Sequence, residues 1–469
     1  MNSLILENAD CRGAGAASHP TNFIVYGSTW TAVWRFSLPL LANMLVLASS
    51  NLVEGWIAGR LGPDAQAAAG IGGQVWYFMI LLTLALSAGT TAVVSRCYGA
   101  RNRAVLGQAV QQAIILAIVV GISSAAIGFA SCRTALELLG ASSAVAALGF
   151  EYLKFSIVSI IPSTILWVLN SIFRACGDSW TPMLTQSIVT VIAMVLGLGL
   201  CLGPGHLGIT GIGISWLVAT SVGSAIGFRS LQRTELHSYV RPQVIIRQPL
   251  STNWMLRFLK IGLPACLQDI SLLVSSFGIF AFLARTAQPV VGQAAWAAGW
   301  RVEETFTIMP MYALNMAAAT LVGQNIGAGR IKRARRLAWQ VTAIGVLWAL
   351  FVGVLMLSFS HSISSALSDV APVVASCNEY LRATCASQPF LATWLILSGA
   401  MQGAAYTRLP MAATVFSFNA LRFALCWLLC FGLSLGPHGI WVAIAASTVV
   451  GALLMIWMWS ANWWQNQQL

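Results

Sequence analysis

Ser50, Asn51 and Glu54 recur at spacings of three and four residues within ASSNLVEGWIAGRLG (Ala48–Gly62), so on a helix they share one face. Glu54 is the only charged side chain among the 23 residues from Phe36 to Ala58, a run otherwise apolar enough to cross a bilayer. A carboxylate at that depth costs about 2.5–3.5 kcal/mol on insertion scales, and such groups face a protein interior or an aqueous cavity. Desolvation disfavours the charged form, so Glu54 gains from taking up a proton or Na⁺ that neutralises it. The chemistry on offer is reversible cation binding, with Glu54 as coupling carboxylate and Asn51 and Ser50 as its polar neighbours. Arg60, six residues on, points to another face. A purely structural use, a protonated Glu54 bonded to a neighbouring helix, stays open.

Other candidates lie later in the chain. Asp269 follows Pro264 by five residues, and Glu303 and Glu304 fall beside Arg301 within a long apolar window. Arg301 and Glu304 are three apart and can pair on a helical face, as Asp269 can with Arg301 or Arg422 across helices. These acids either couple a cation or form ion pairs that set packing. Trp56, Trp76, Trp296 and Trp300 are candidate walls of a substrate cavity, where an aromatic face attracts an organic cation by about 0.5–2 kcal/mol. Lipid or helix packing is the competing use. Glu151 with Lys154, and Glu379 with Arg382, read as structural i,i+3 pairs. No catalytic constellation recurs within the apolar windows, the ten cysteines are scattered, and GQNIGAGR (Gly323–Arg330) lacks the phosphate-loop pattern. An enzyme, a resident cofactor or a metal centre is not expected, beyond H⁺ or Na⁺ at Glu54.

The elements that must position these residues are set by composition. The 469 residues are 58% hydrophobic and 8% charged with mean hydropathy +0.78, against about 25% charged in a soluble domain. Twelve apolar windows run from Phe36–Ala58 to Ile440–Trp459, the eighth being Val291–Val322 and the tenth Val373–Ala400. The net charge of +12 is concentrated in alternate loops: Arg96, Arg101 and Arg103; Arg229, Arg233, Arg241, Arg247 and Arg257; Arg330, Lys332, Arg333, Arg335 and Arg336. That is the positive-inside pattern, so both termini are expected in the cytoplasm of a cell (inner) membrane protein, and no nucleic acid is expected as a partner. Residues 1–33 read as a cytoplasmic tail without a signal peptide.

The two halves of the chain are copies. RACGDSWTPM (Arg174–Met183) matches QGAAYTRLPM (Gln402–Met411) at an offset of 228, which also carries EYLK at Glu151 onto EYLR at Glu379 and VSRCYGA at Val94 onto VGQNIGA at Val322. FSLP ending at Pro39 matches IGLP ending at Pro264 at an offset of 225. Six windows per copy is an even number, so the copies enter the membrane from the same side and are related by an axis along its normal. The expected fold is all-α, a polytopic membrane protein of twelve transmembrane helices in two pseudo-symmetric lobes, 34–228 and 258–469, joined by a cytoplasmic linker over 229–257. Matched lobes favour a transporter of a small-molecule substrate, acting as a monomer in the bilayer.

The Pro39, Asn51, Glu54 and Gly59 pattern, the Arg96–Gly99 block, GDSWTP and LVGQNIGAG (Leu321–Gly329) together resemble the MATE (multidrug and toxic compound extrusion) family, from about Trp34 to Trp459. That resemblance implies a secondary antiporter exporting amphipathic, often cationic compounds against protons or Na⁺. The alternative within the same superfamily is a lipid-linked oligosaccharide or precursor flippase, for which Arg301 and Arg422 are the basic candidates at depth. Glu54, fifteen residues after Pro39, stands where the DinF-like branch carries an Asp, with Asn51 matching a nearby Asn. The branch also has Asn and Asp about eleven and fifteen residues after the fifth-span proline, where this chain has Ala193 and Gly197. That loss weakens an Na⁺ site and favours protons. In the second copy Glu54 corresponds to Ile279, so the acid belongs to something the first lobe does alone.

Overall fold

In a bilayer, backbone amides have no water to bond, so each apolar run must close its hydrogen bonds within itself and becomes a helix. The computed structural model describes residues 23–138, 142–203, 207–241, 243 and 249–466, and the side chains of Asn51 and Leu52 lie outside that description. Its spans are α1 (Thr29–Leu61), α2 (Pro63–Gly99), α3 (Arg103–Leu138), α4 (Ser143–Ala175), α5 (Trp180–Cys201), α6 (Thr210–Gln232), α7 (Thr252–Leu283), α8 (Pro289–Gly327), α9 (Ile331–Leu367), α10a (Ala371–Cys385), α10b (Gln388–Gly403), α11 (Arg408–Gly432) and α12 (Pro437–Ser460). Among the described residues there is no strand.

Several spans depart from the uniform helices expected, the tenth and α8 among them. The tenth is two helices: Pro389 has no N–H to offer the Cys385 carbonyl, and at the break the Thr384 carbonyl accepts from the Ser387 amide at 2.9 Å and hydroxyl at 2.8 Å. α8 passes through a π turn over Glu304–Ile308 just before Pro310. The carbonyl that Pro310 cannot serve, that of Phe306, accepts from the Trp348 indole of α9 at 2.8 Å.

Within the first lobe α4 packs on α2, α3 and α6; within the second, α10b packs on α8, α9 and α12. α1 and α7 each belong to both. The first half of α1 (Val33, Phe36, Leu40, Met44) is buried with Leu314, Ala317 and Leu321 of α8, whereas Ile57 is buried in the first lobe. In mirror fashion, Phe258 and Ile261 of α7 join the first lobe's core, and Ile279 and Leu283 that of the second.

The lobes meet through glycine. A Cβ on Gly99 would stand 2.0 Å from the Gln324 carbonyl oxygen, and one on Gly327 would stand 2.1 Å from that of Arg96. The two contacts exchange under the 228-residue offset, so α2 and α8 cross backbone to backbone on the pseudo-two-fold axis. Gly262 of α7 lies as close to the Ala85 carbonyl, at 2.0 Å. The Arg96 guanidinium donates to the Ala404 carbonyl and the Gln324 amide to that of Ala175, both at 2.7 Å. All of these contacts except that of Gln324 with Ala175 of α4 use the half of α2 that ends at its arginine-rich turn. The other half packs inside its own lobe, with Gly72 against Tyr152 and Met79 against Gly128. The closest backbone approaches of the lobes therefore lie at the basic end.

The expected free tail to residue 33 is corrected by the structure: α1 begins at Thr29, and the turn Phe23–Tyr26 is packed down, with Ile24 and Val25 buried. Arg333 donates to the carbonyls of Ile24 and Gly27 at 2.9 and 2.6 Å, and Arg330 to that of Val25 at 3.0 Å. The Tyr26 ring lies between Arg330 of the second lobe (4.3 Å) and Arg101 of the first (4.9 Å). Residues 1–22 of that tail lie outside the described residues.

Two measurements check this architecture. Gly99→Ala is expected to lower thermal unfolding stability by about 1–3 kcal/mol, because the obstructing atom is backbone. Gly73→Ala, with nothing within 4 Å, should be neutral or gain up to about 1 kcal/mol. Tyr26→Leu should cost about 1–2 kcal/mol through its two cation–π contacts, and Tyr26→Phe should match the parent chain.

Candidate functional site

Glu54 sits on the outer half of α1, where α5 and α6 close over it. A cavity of about 10 Å³ is lined by Ser50, Val53, Glu54 and Ile57 of α1, Ala193, Met194 and Gly197 of α5, and Ile212 and Ser215 of α6. That is room for about one water molecule or one small cation. The Trp216 indole N–H donates to Glu54 Oε1. The Ser215 hydroxyl donates to the Ile212 carbonyl at 2.7 Å, which leaves its lone pairs able to accept. Tyr152 of α4 and Cys201 of α5 stand within electrostatic range of the carboxylate. Arg60 is occupied elsewhere, over the Trp56 ring at 5.3 Å, and no ion pair to Glu54 forms among the described residues.

The structure brings Ser50 and Glu54 together and puts Ala193 and Gly197 on the opposite wall of the same cavity. The side chain of Asn51 lies outside the described residues. Sequence reasoning missed Ser215, Trp216 and Tyr152. A tryptophan in an apolar window reads as a headgroup anchor, and only the fold of α6 onto α1 turns its N–H toward the acid.

The later acids divide into two groups. Asp269 accepts a long hydrogen bond from the Tyr312 hydroxyl at 3.5 Å, and Tyr77 of α2 and Tyr312 each lie within electrostatic range of both Asp269 and Glu304. Its expected pairing with Arg301 or Arg422 does not form among the described residues. Arg301 lies within electrostatic range of Glu304, but no ion pair between them forms among the described residues. Glu303 turns into the second lobe, 4% exposed, where Gln388 Nε2 donates to its Oε1 at 2.7 Å and Tyr380 and Thr384 lie against it. Arg422, 5% exposed, donates to Ser447 at 2.7 Å and to Ser275 and Thr448 at 3.0 Å each.

The tryptophans expected to wall a cavity occupy different surroundings. Trp296 is 2% exposed and packs with Trp300, Tyr380 and Trp441 in the second lobe's core, so it fills the lobe and walls no open space. Trp76 packs against the first lobe's core, and Trp56 is exposed. Lys154 does pair with Glu151, whereas Arg382 bonds the Ser360 hydroxyl at 3.3 Å and makes no ion pair with Glu379 among the described residues.

Trp216→Phe keeps the ring and removes the donor. In a double-mutant cycle with Glu54→Gln, thermal unfolding should report a coupling of about 1.5–3 kcal/mol, the range for a hydrogen bond to a charged group. A value near zero would remove Trp216 from the site.

The family model MatE matches residues 39–201 and 264–428, once in each copy of the repeat. The probable multidrug resistance protein YoeA of Bacillus subtilis (strain 168) is 24% identical over 455 residues, covering 94% of this chain and 95% of that protein. Among solved structures, a MOP superfamily transporter from Pyrococcus furiosus superposes with a TM-score of 0.88 at 20% identity, covering 95% and 98% of the two chains. An outward-facing multidrug resistance MATE family transporter superposes with a TM-score of 0.87 at 20% identity, covering 97% and 100%. With both copies of the repeat matched and the helical architecture shared, this chain belongs to the MatE family of membrane transporters.

Proposed function

We propose that this MatE transporter is a proton-driven antiporter that exports amphipathic cationic compounds, with Glu54 as its coupling carboxylate. The observation that carries the reading is the small Glu54 cavity at the α1, α5 and α6 junction. Na⁺ needs several oxygen ligands. Here Ala193 and Gly197 contribute no side-chain oxygen, and Trp216 already occupies one oxygen of Glu54 with a donor. A proton needs a single acceptor, and the cavity supplies one.

α1 provides the mechanical link. Its first half, which contains Pro39, is seated in the second lobe's core and its Glu54 half in the first lobe. Protonation removes the charge from Glu54 and changes how the outer half of α1 seats against α5 and α6. Because the same helix is anchored in the opposite lobe, that change biases the lobe arrangement. If proton and substrate favour different arrangements, their binding is coupled.

For the substrate, Asp269 and Glu304 come together with Tyr77 of α2 and Tyr312, an anionic and aromatic surface suited to an organic cation. The same cluster argues against a flippase for anionic lipid-linked precursors, as does Arg422, whose donors are spent on Ser275, Ser447 and Thr448 inside the second lobe. The basic end, with both termini, is assigned to the cytoplasm of an inner membrane, and the chain to a monomer.

Purified protein in proteoliposomes should accumulate a fluorescent organic cation under an imposed pH gradient and fail to do so under an Na⁺ gradient alone. Glu54→Gln should abolish gradient-driven uptake while substrate binding persists, and Asp269→Asn should weaken substrate binding about tenfold or more. Equal transport under Na⁺, or unaltered transport by Glu54→Gln, would sink the reading.

A further inference from the structure

A transporter built of two matched lobes exposes its site to one side and then the other, so the basic end, where the lobes are joined in this structure, must also open. The backbone contacts of Gly99 with Gln324 and of Gly327 with Arg96 lie there. So does the turn Phe23–Tyr26 that precedes α1. That turn belongs to no span, and it touches the two lobes by chemically different means.

Its main chain is held by the second lobe. Arg333, at the start of α9, donates to the carbonyls of Ile24 at 2.9 Å and Gly27 at 2.6 Å, Arg330 donates to that of Val25 at 3.0 Å, and Asn325 of α8 donates to that of Ile24 at 3.4 Å. Its side chains meet the first lobe. The Arg101 guanidinium, from the turn between α2 and α3, lies 4.9 Å from the centre of the Tyr26 ring. A Cβ placed on Gly177, in the turn between α4 and α5, would stand 3.2 Å from Ile24 Cδ1. α7 starts in mirror fashion: Gln112 of α3 donates to the Pro249 carbonyl at 3.0 Å and accepts from the Ser251 amide at 2.9 Å. Both bridging helices are thus fastened at their starts to the opposite lobe.

The two attachments differ in strength. The turn is continuous with the half of α1 that is buried against α8, and its charge-assisted bonds to Arg330 and Arg333 outweigh one partly exposed cation–π contact and one apolar touch. When the lobes separate at this end, the turn stays with the second and releases Arg101 and Gly177. We propose that Phe23–Tyr26 is a latch: anchored to the second lobe by Arg330 and Arg333, it closes on the first through Tyr26 and Ile24, and it shifts the balance of the two transport states toward the one closed at the basic end. The latch acts whichever cation is coupled, and it needs no role for Glu54.

Arg101→Asn removes the first-lobe side of the clamp and leaves Arg330 and Arg333 in place; its φ of 56° is a conformation that asparagine tolerates. Cys176, half-buried beside Gly177, is a native reporter of this end, and the carbonyl of its neighbour Ala175 accepts from Gln324 across the lobes. The full chain in nanodiscs is alkylated with a maleimide, and the label at each cysteine is followed by peptide mass spectrometry. Arg101→Asn and Tyr26→Leu are expected to label Cys176 about two- to fivefold faster than the parent chain, the population shift that corresponds to one cation–π contact. Tyr26→Phe should match the parent. Cys132 and Cys426, buried in the cores of the two lobes, should stay unlabelled over the same period in every variant. Parent-like labelling of Cys176 in both Arg101→Asn and Tyr26→Leu overturns the latch. So does labelling that rises at Cys132 and Cys426 along with Cys176, because a general loosening of the fold is what a merely structural turn would give.

Discussion

The crossing of α2 and α8 is the constraint on which the rest of the structure depends. Two helices can touch backbone to backbone only where neither carries a side chain, and Gly99 and Gly327 supply that contact reciprocally on the pseudo-two-fold axis. Because it lies at the arginine-rich end, the lobes are joined there. It also locates the acids. Asp269 falls within electrostatic range of Tyr77 of α2, while Glu54 falls well inside the first lobe under α5 and α6. On the proposed reading, a substrate held beside Asp269 and a proton on Glu54 occupy different places and interact through helices.

α1 and α7 convert this joint into a coupled machine. Each starts in the core of the opposite lobe and finishes in its own. Movement of one lobe against the other must tilt, bend or reseat both helices. Where α1 carries Glu54, α7 has Ile279, and the one carboxylate of α7, Asp269, lies near its middle. Duplication has produced a symmetric frame, and the functional asymmetry consists of a few side chains set into equivalent positions of that frame.

Those side chains also explain the irregular helices of the second lobe. Glu304–Ile308 and Phe416–Leu421 are π turns, and they lie beside Glu303 and just before Arg422 respectively. A π turn inserts one residue and rotates the helix beyond it, which is a way to re-aim a side chain within a straight span. The N-terminal turn at Phe23–Tyr26 adds a further bond between the lobes at the closed end, where two arginines from different lobes share one tyrosine ring.

Much of this was legible in the residues alone. Twelve apolar windows, alternating basic loops and offsets of 225 and 228 determined an all-helical membrane protein with two related halves, because bilayer thickness and backbone satisfaction leave no other solution. Glu54 was legible as well, being the one charge in its window. What stayed hidden is what depends on contacts distant in sequence. The i,i+3 rule pairs Arg301 with Glu304, yet no ion pair between them forms among the described residues, and it is the neighbouring Glu303 that turns inward to accept from Gln388. Trp216 reads as a membrane anchor until α6 places its N–H on Glu54. Sequence periodicity determines which face of each helix is apolar, and so which elements exist. Only the tertiary structure decides which polar atoms share a cavity, since that is set by how helices more than a hundred residues apart are pressed together.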